Sequence, residues 1–477
     1  MGGKNSKSYL ELYCKGVNMS AVVTKTITPP SAPALKRASS DSFGPIRMLT
    51  INVAAPIPTL AAYNQHTGTY YTQARILVRL HSRPLQFIDV ALPAEGLDAA
   101  TVAAYIWQHC HSRINEVLQD EGVPPATHLP PAGLPEADHM PSQHARRQFY
   151  QHAPFASIII CTRDRIDFLS IHLPHLLTLS YPDYEIIIVD NASRTDAVAR
   201  LVQHYFANVP NLRYVREERP GLSWARNCGL RHARGELVAF LDDDEWPEKD
   251  WLLELAYAFQ TAEQVACVTG GVMAAEIETP PQLWIEQFGG FFKGRGINRS
   301  VFNLTTHRLD NPLYPYLSSI FGAGANMAFR TDVLRSLGGF DPALGAGTHS
   351  GAAEEIDVFF RLLMHGHTLV YEPSSLLHHF HRRSYAALQK QLFTYGTGFT
   401  AYLTKTMLSN PGHLVHLVGQ IPYVLNYLFG KQSPRNVGKQ SGYPKELTLL
   451  ELRGMLYGPL AYLRSRRQVR EIERAVT

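Results

Sequence analysis

Between residues 155 and 244 one pattern recurs: a short unbroken apolar run, a polar cluster at its end, then a stretch with helical spacing. The runs are 155–161 (FASIIIC), 184–190 (YEIIIVD), 212–216 (LRYVR) and 236–241 (ELVAFL). Apolar runs without alternation suit strands buried on both faces, as in a sheet covered by helices on each side. Strand–helix alternation of this kind predicts an α/β fold with a parallel sheet and right-handed crossovers. In such sheets the ligand crevice lies outside the carboxyl ends of the strands. Polar clusters stand at three of those ends: Thr162-Arg163-Asp164-Arg165, Asp190-Asn191-Ala192-Ser193 and Asp242-Asp243-Asp244.

The last cluster is the most demanding. The segment AFLDDDEW, 239–246, ends an apolar run on four consecutive acids. Their repulsion and desolvation are costly unless something neutralises them. A divalent cation does so, because Mg2+ and Mn2+ take oxygen ligands and usually keep one or two carboxylates plus substrate phosphates. Asp242 and Asp244 are one strand period apart, so extended backbone puts both on one side. Arg165 and Arg226 are then candidate phosphate partners, and Asp190 and Asn191 candidate readers of a base or ribose. Together these residues imply a metal-bound nucleotide diphosphate. The competing reading is a solvated loop whose acids cap the helix that begins near Trp251.

Farther on, 351–362 (GAAEEIDVFFRL) sets Glu354, Glu355 and Asp357 ahead of an apolar helical face. One of them is a candidate general base if burial and nearby charge raise its pKa; the alternative is an acidic first turn that complements the helix dipole. In 378–383 (HHFHRR), His379 and His381 share one face of an extended segment. They are candidate ligands for metal or phosphate, or an exposed polar strand end.

Composition sets the organisation. Residues 1–45, rich in Ser, Thr, Lys and Pro, are expected to be disordered. A small α+β domain is expected over 46–123, a Pro-rich linker over 124–153, the main α/β domain over 154–385 and an amphipathic helical region over 386–477. The net charge of +4 hides a contrast: 381–477 holds 14 Lys/Arg and 4 Asp/Glu, so the body is acidic and the tail basic. A basic tail points to an anionic surface, membrane or nucleic acid. No nucleic-acid module is recognisable, and nucleic acid is not expected as a partner. Five cysteines without CxxC spacing argue against a disulfide framework or zinc site and for a reducing, cytoplasmic compartment. No secretory signal is visible. No apolar run reaches the ~18 residues that mark a membrane span, and 413–430 reads as a buried or interfacial helix pair. The segments 414–429 and 447–467 carry apolar faces with Tyr and flanking Arg, which suits peripheral contact with a membrane. Packing as an ordinary helical subdomain is the alternative.

Taken together, residues 155–395, about half of the chain, resemble the family 2 glycosyltransferases, whose catalytic domain has the fold called GT-A. The segment ASIIICTRDR (156–165) resembles the family's opening strand and loop, with Cys161 and Asp164 where proline and asparagine are usual. VDNAS (189–193) resembles the second nucleotide-binding loop, and RPGLSWARNCG (219–229) the segment that lies along the nucleotide. FLDDDEW (240–246) fits the DXD motif, and FGAGANMAFR (321–330) the acceptor-side strand. GGFDPALGAGT (338–348) with AAEEIDVFFRL (352–362) resembles the segment that carries the base; relatives read Glu-Asp where this chain has Glu354-Glu355. YEPSSLLHHFHR (371–382) matches the closing strand with its His pair.

The resemblance implies a Rossmann-like mixed sheet flanked by helices, and transfer of a sugar, with inversion, from a nucleotide-diphosphate sugar to an acceptor hydroxyl. The acceptor would be a glycan or lipid-linked. Glu355 inherits the base role. Thr162, Arg165, Asp190, Asn191, Arg226, Asn227, Asp242 and Asp243 would face the nucleotide sugar. Asp242, Asp244 and His379 would hold a divalent cation, Mn2+ or Mg2+, while Trp246, Asn326 and Glu354 lie on the acceptor side and Glu245 is a loop acid. A non-catalytic nucleotide-sugar sensor or scaffold on the same fold is the alternative. A nucleotidyltransferase is disfavoured, since no Gly-rich loop with a basic residue for a triphosphate is evident.

Overall fold

The computed structural model describes residues 43–476 apart from 66, 291, 293–294, 318–319, 431, 434–435, 437–438 and 440–441. Nearly all of the segment expected to be disordered, 1–45, lies outside the described residues. The chain divides into two compact units.

The first unit runs to His152 and also takes in Ala274–Leu283. Strand β1 (Ile46–Asn52) pairs in parallel with β4 (Gln73–Leu80), and β4 pairs antiparallel with β5 (Arg83–Ala91). Between them lies a short hairpin of β2 (Tyr63–Asn64) and β3 (Thr69–Tyr70). Helix α1 (Ala99–Asp120) starts where the Asp98 carboxylate accepts from the Thr101 amide at 2.7 Å, an N-cap. Its buried stripe of Val102, Ile106, Cys110, Ile114 and Val117 joins Ile76, Val78, Ile88 and Val90 of the sheet in one core. The Pro-rich stretch is not a free linker. Leu129, Leu134, Ala137 and Met140 are buried in that same core, and α2 (Pro141–Gln151) follows. Widely spaced apolar anchors hold it, and proline density conceals them.

In the second unit the chain runs β6 (Ala156–Thr162), α3 (Ile166–Leu176), β7 (Tyr184–Asn191), α4 (Ala197–Tyr205), β8 (Leu212–Glu217), α5 (Leu222–His232) and β9 (Leu237–Asp242). It continues through β10 (Glu245–Pro247), α6 (Trp251–Ala258), β11 (Val265–Ala274), α7 (Pro280–Phe288), β12 (Ser300–Phe302), β13 (Asn326–Arg330), α8 (Thr331–Ser336), α9 (Glu354–Met364) and β14 (Thr368–His379). Helices α10 (Tyr385–Ser409), α11 (Gly412–Gly419), α12 (Ile421–Phe429) and α13 (Lys445–Val476) close it.

The parallel core has the order β8-β7-β6-β9. Ile158 to Ile160 and Ile186 to Ile188 are buried throughout, which is why these runs show no alternation. Beyond β9 the sheet turns antiparallel through β13 and continues to β11, β14 and the edge strand β10, with β12 also on β14. The chain leaves β6 toward β7 and later returns to β6's other side as β9. That reversal opens the crevice at the carboxyl ends of β6 and β9.

Helices α10 and α13 pack through glycines: a methyl at Gly396 would strike the Glu451 carbonyl oxygen, and one at Gly454 that of Phe393. Lys405 of α10 also pairs with Asp357 of α9. Segment 447–467 thus packs on α10 along one face, while Leu449, Leu456, Leu460 and Leu463 on it are exposed. Among the described residues no helix is long and apolar enough to cross a membrane.

Asn326 is the strut of the antiparallel half. Its Oδ1 accepts from Trp251 Nε1 at 2.8 Å, and its Nδ2 donates to the carbonyls of Gly271 and Ser375 at 2.9 Å each. All its bonds are internal and its side chain is buried, so it ties β13 to its neighbours and offers an acceptor nothing. Asn326→Ala should cost about 2–4 kcal/mol in urea unfolding, since it orphans buried partners; a loss well under 1 kcal/mol would contradict this role.

Candidate active site

The polar residues at the ends of β6 and β9 first meet each other. Thr162 Oγ1 donates to Asp243 Oδ2 at 2.8 Å. Arg165, at the start of α3, donates from Nη1 to Asp243 Oδ1 at 2.5 Å and from Nη2 to Asp244 Oδ2 at 2.8 Å. Such charge-assisted bonds are the strong ones, and here one guanidinium spans two adjacent acids. Burial pushes Asp243 up to about 7 against the pull of Arg165. Burial also works to raise Asp244, yet Arg165 and His379 together hold it below the usual carboxylate range.

The next pair crosses the sheet edge. Register between β10 and β14 sets Glu245 opposite His379, with Nδ1 at 2.8 Å from Oε1. Asp244, Glu245 and His379 each present a ligand atom, all within 4.8 Å of one another. Glu245 is 1% exposed, and its second oxygen is buried without a hydrogen-bond partner. An orphaned buried carboxylate oxygen beside a second acid and an imidazole fits a hard divalent cation such as Mn2+ or Mg2+. Glu245, taken from sequence as a loop acid, is therefore central. Asp242 turns elsewhere, its Oδ1 lying 3.3 Å from Arg226. The strand period expected to align Asp242 with Asp244 ends at Asp242, where β9 gives way to a turn. His381 is engaged by Glu286 at 2.6 Å and stands outside the cluster.

Arg226 carries the other half. Buried at 3% exposure, it donates to Glu354 Oε1 at 2.9 Å, to Asp242 and, at 3.3 Å, to the Gly324 carbonyl. Ala353, with φ of 81°, turns the chain so that Glu354 and Glu355 open the first turn of α9. Burial raises both carboxyls, with Arg226 opposing at Glu354 and the Glu354 charge adding at Glu355. Among the described residues no side chain hydrogen-bonds the Glu355 carboxylate, which lies alongside Gly324. Asp357, one residue pair farther on, is bound by Lys405 and by Arg361 at 2.8 Å.

On the third strand end, Asp190 Oδ2 accepts from Tyr214 at 2.8 Å and Arg216 at 3.1 Å, while its Oδ1 is buried without a partner. Asn191 is spent on the loop it opens, accepting from the Gly221 amide at 2.9 Å and donating to the Arg219 carbonyl at 2.8 Å. Asn227 likewise brackets the backbone of Phe340, at 2.7 and 2.8 Å. Trp246 stacks on His175 with centroids 4.4 Å apart and meets His172 edge-on. These three side chains shape the loops around the crevice. Tyr214 and Arg216, which orient Asp190, went unnoticed in the sequence because they precede the strand's polar end.

Residues 157–338 match the family model described as Glycosyl transferase family 2. That match spans 182 of the chain's 477 residues and assigns this domain, rather than the whole chain, to the family. It is 24% identical over 248 residues to the glucosyl-dolichyl phosphate glucuronosyltransferase of Haloferax volcanii, covering 51% of this chain and 71% of that one. With the pre-mycofactocin glycosyltransferase of Mycobacterium tuberculosis it shares 26% over 206 residues, 43% of this chain and only 39% of that protein's length. The solved mannosyltransferase PcManGT of Pyrobaculum calidifontis, in complex with GDP-Man and Mn2+, aligns with a TM-score of 0.42 and 17% identity over 66% of this chain and 95% of that one. With that domain match, the Asp244–Glu245–His379 cluster supports a metal-assisted glycosyltransferase reaction on a nucleotide-sugar donor. The matched segment stops short of both Glu355 and His379.

Glu245→Gln and His379→Ala should each weaken Mn2+ binding about tenfold or more in calorimetric titration, and Asp242→Asn much less. Equal losses in all three would return Asp242 to the metal.

Proposed function

We propose that the enzyme transfers a sugar with inversion to an acceptor hydroxyl, with Glu355 as the base. The observation that supports this reading is the contrast among the acids. Arg165 holds Asp243 and Asp244, Arg226 holds Asp242 and Glu354, and His379 holds Glu245. Glu355 alone of that group has no side-chain partner among the described residues, and its raised pKa is that of a group able to accept a proton near neutrality.

In this reading Asp190 Oδ1 accepts a hydrogen bond from the base or ribose of the donor. When bound to Asp244, Glu245 and His379, the cation supplies charge neutralisation for the diphosphate. Glu355 takes the proton of the acceptor hydroxyl as its oxygen bonds to the anomeric carbon. The bond from that carbon to the diphosphate breaks on the opposite face, and the nucleoside diphosphate leaves with the electron pair. Glu354, locked on Arg226, fixes the first turn of α9 and so the direction in which Glu355 points.

The acceptor we favour is a glycan or lipid-linked hydroxyl; the similarity to the glucosyl-dolichyl phosphate glucuronosyltransferase of Haloferax volcanii supports the second. A cytoplasmic setting, in polysaccharide or glycolipid assembly, accords with cysteines that are all unpaired among the described residues.

Glu355→Gln should lower transfer by about 10²–10⁴-fold while donor affinity holds within a few-fold. Retained transfer would move the role to Glu354. Because burial raises Glu355, it is protonated on the acid side, so wild-type transfer should climb as pH rises through neutrality. In Glu355→Gln that rise should vanish from the residual rate, and a profile identical to wild type would contradict the assignment.

A further inference from the structure

The stretch 406–430 contains no Asp, Glu, Lys or Arg. Past the end of α10 it folds into α11 and α12, and neither of these helices has a single buried residue. Helix α11 is held along one edge only: His413 bonds the Tyr316 hydroxyl at 2.8 Å, and His416 stacks on the same ring. That grip turns Leu414, Val415 and Val418 outward, Val415 to 76% exposure. Helix α12 adds Ile421, Leu425 and Phe429, four apart along one stripe and all exposed. Isolated exposed apolar side chains are ordinary on a protein surface, whereas a run of them with no charge to interrupt it marks an interaction face.

We propose that α11 and α12 seat this enzyme in the interfacial layer of an anionic lipid bilayer, lying on the membrane rather than crossing it. Charge selects the occupant. Leu417 of α11 and Val469 of α13 pack on one apolar cluster with Tyr316, Phe360 and Tyr462, so the arginine-rich end of α13 borders the uncharged helices. Arg466 and Arg470 there are exposed and form no ion pair among the described residues. An apolar face at acyl depth with arginines at the rim is the pattern of an interfacial helix on anionic headgroups. A second copy docked through this face would bring the same arginines toward one another across a two-fold axis, which opposes that pairing. The inference stands apart from the catalytic reading, since it uses none of the crevice residues.

Flotation of the full-length protein with phosphatidylcholine vesicles, with and without about one-third phosphatidylglycerol, tests it. We expect binding to the anionic vesicles at least tenfold stronger than to neutral ones. Val415→Glu with Val418→Glu should abolish it, and Leu425→Glu with Phe429→Glu on the neighbouring helix should do the same. Arg466→Gln with Arg470→Gln should weaken anionic binding by about fivefold per arginine while sparing the weak binding to neutral lipid. Light scattering should show monomers throughout. Failure to float with either vesicle, or flotation unchanged in both glutamate pairs, would overturn the proposal. So would a concentration-dependent dimer that the same glutamates dissolve, since it would give the face to a second copy.

Discussion

Two guanidiniums hold the acidic end of this sheet together. Arg165 spans Asp243 and Asp244, and Arg226 spans Asp242 and Glu354, so four carboxylates are compensated by two cations. Burying a carboxylate costs several kcal/mol unless it is paired and hydrogen-bonded, and removing one partner of a buried pair typically costs about 3–5 kcal/mol. The acids left least compensated are then informative. Glu245 keeps one buried oxygen without a partner, and among the described residues no side chain hydrogen-bonds the Glu355 carboxylate. In the proposed mechanism one receives a cation and the other a proton, and the division of labour between donor and acceptor sides would follow from which acids the arginines leave open.

Topology delivers the remaining partners. The parallel strands bring Asp190, Thr162 and Asp242 to one end of the sheet, but the cation cluster needs more. It depends on the antiparallel extension beyond β9, which carries β14 to the edge strand β10 and sets His379 against Glu245 from 134 residues away. Asn326 holds that extension in register, and α9 returns to place Glu354 on Arg226. Residues shaping the crevice, such as Asn191, Asn227 and Trp246, act by fixing loops.

Much of this was legible before the fold. Unbroken isoleucine runs announced the buried parallel strands, and the polar ends of 155–161, 184–190 and 236–241 announced the crevice. What sequence concealed has definite causes. Glu245 stands on a three-residue strand whose only signature is its pairing with β14, so local pattern made it a loop acid. Asn326 looks like a recognition residue because an asparagine beside glycines is polar and near a motif, yet its bonds run between strands. Prolines hid the anchors Leu129, Leu134 and Met140 of the first unit. In the tail, both amphipathic segments looked alike. Packing separates them: α13 docks on α10 through Gly454 and Gly458, whereas α11 and α12 have no buried residue.

The central claim is that donor phosphates and a divalent cation meet at Asp244, Glu245 and His379, beside Asp190 and across from Glu355. Crystals grown with Mn2+ and a nucleoside diphosphate, measured at the manganese absorption edge, address it most directly. The account predicts one strong anomalous peak bounded by those three side chains, with the diphosphate on its open side and the nucleoside reaching toward Asp190. Diphosphate bound in the crevice with manganese on other ligands, or bound outside the crevice altogether, would contradict it.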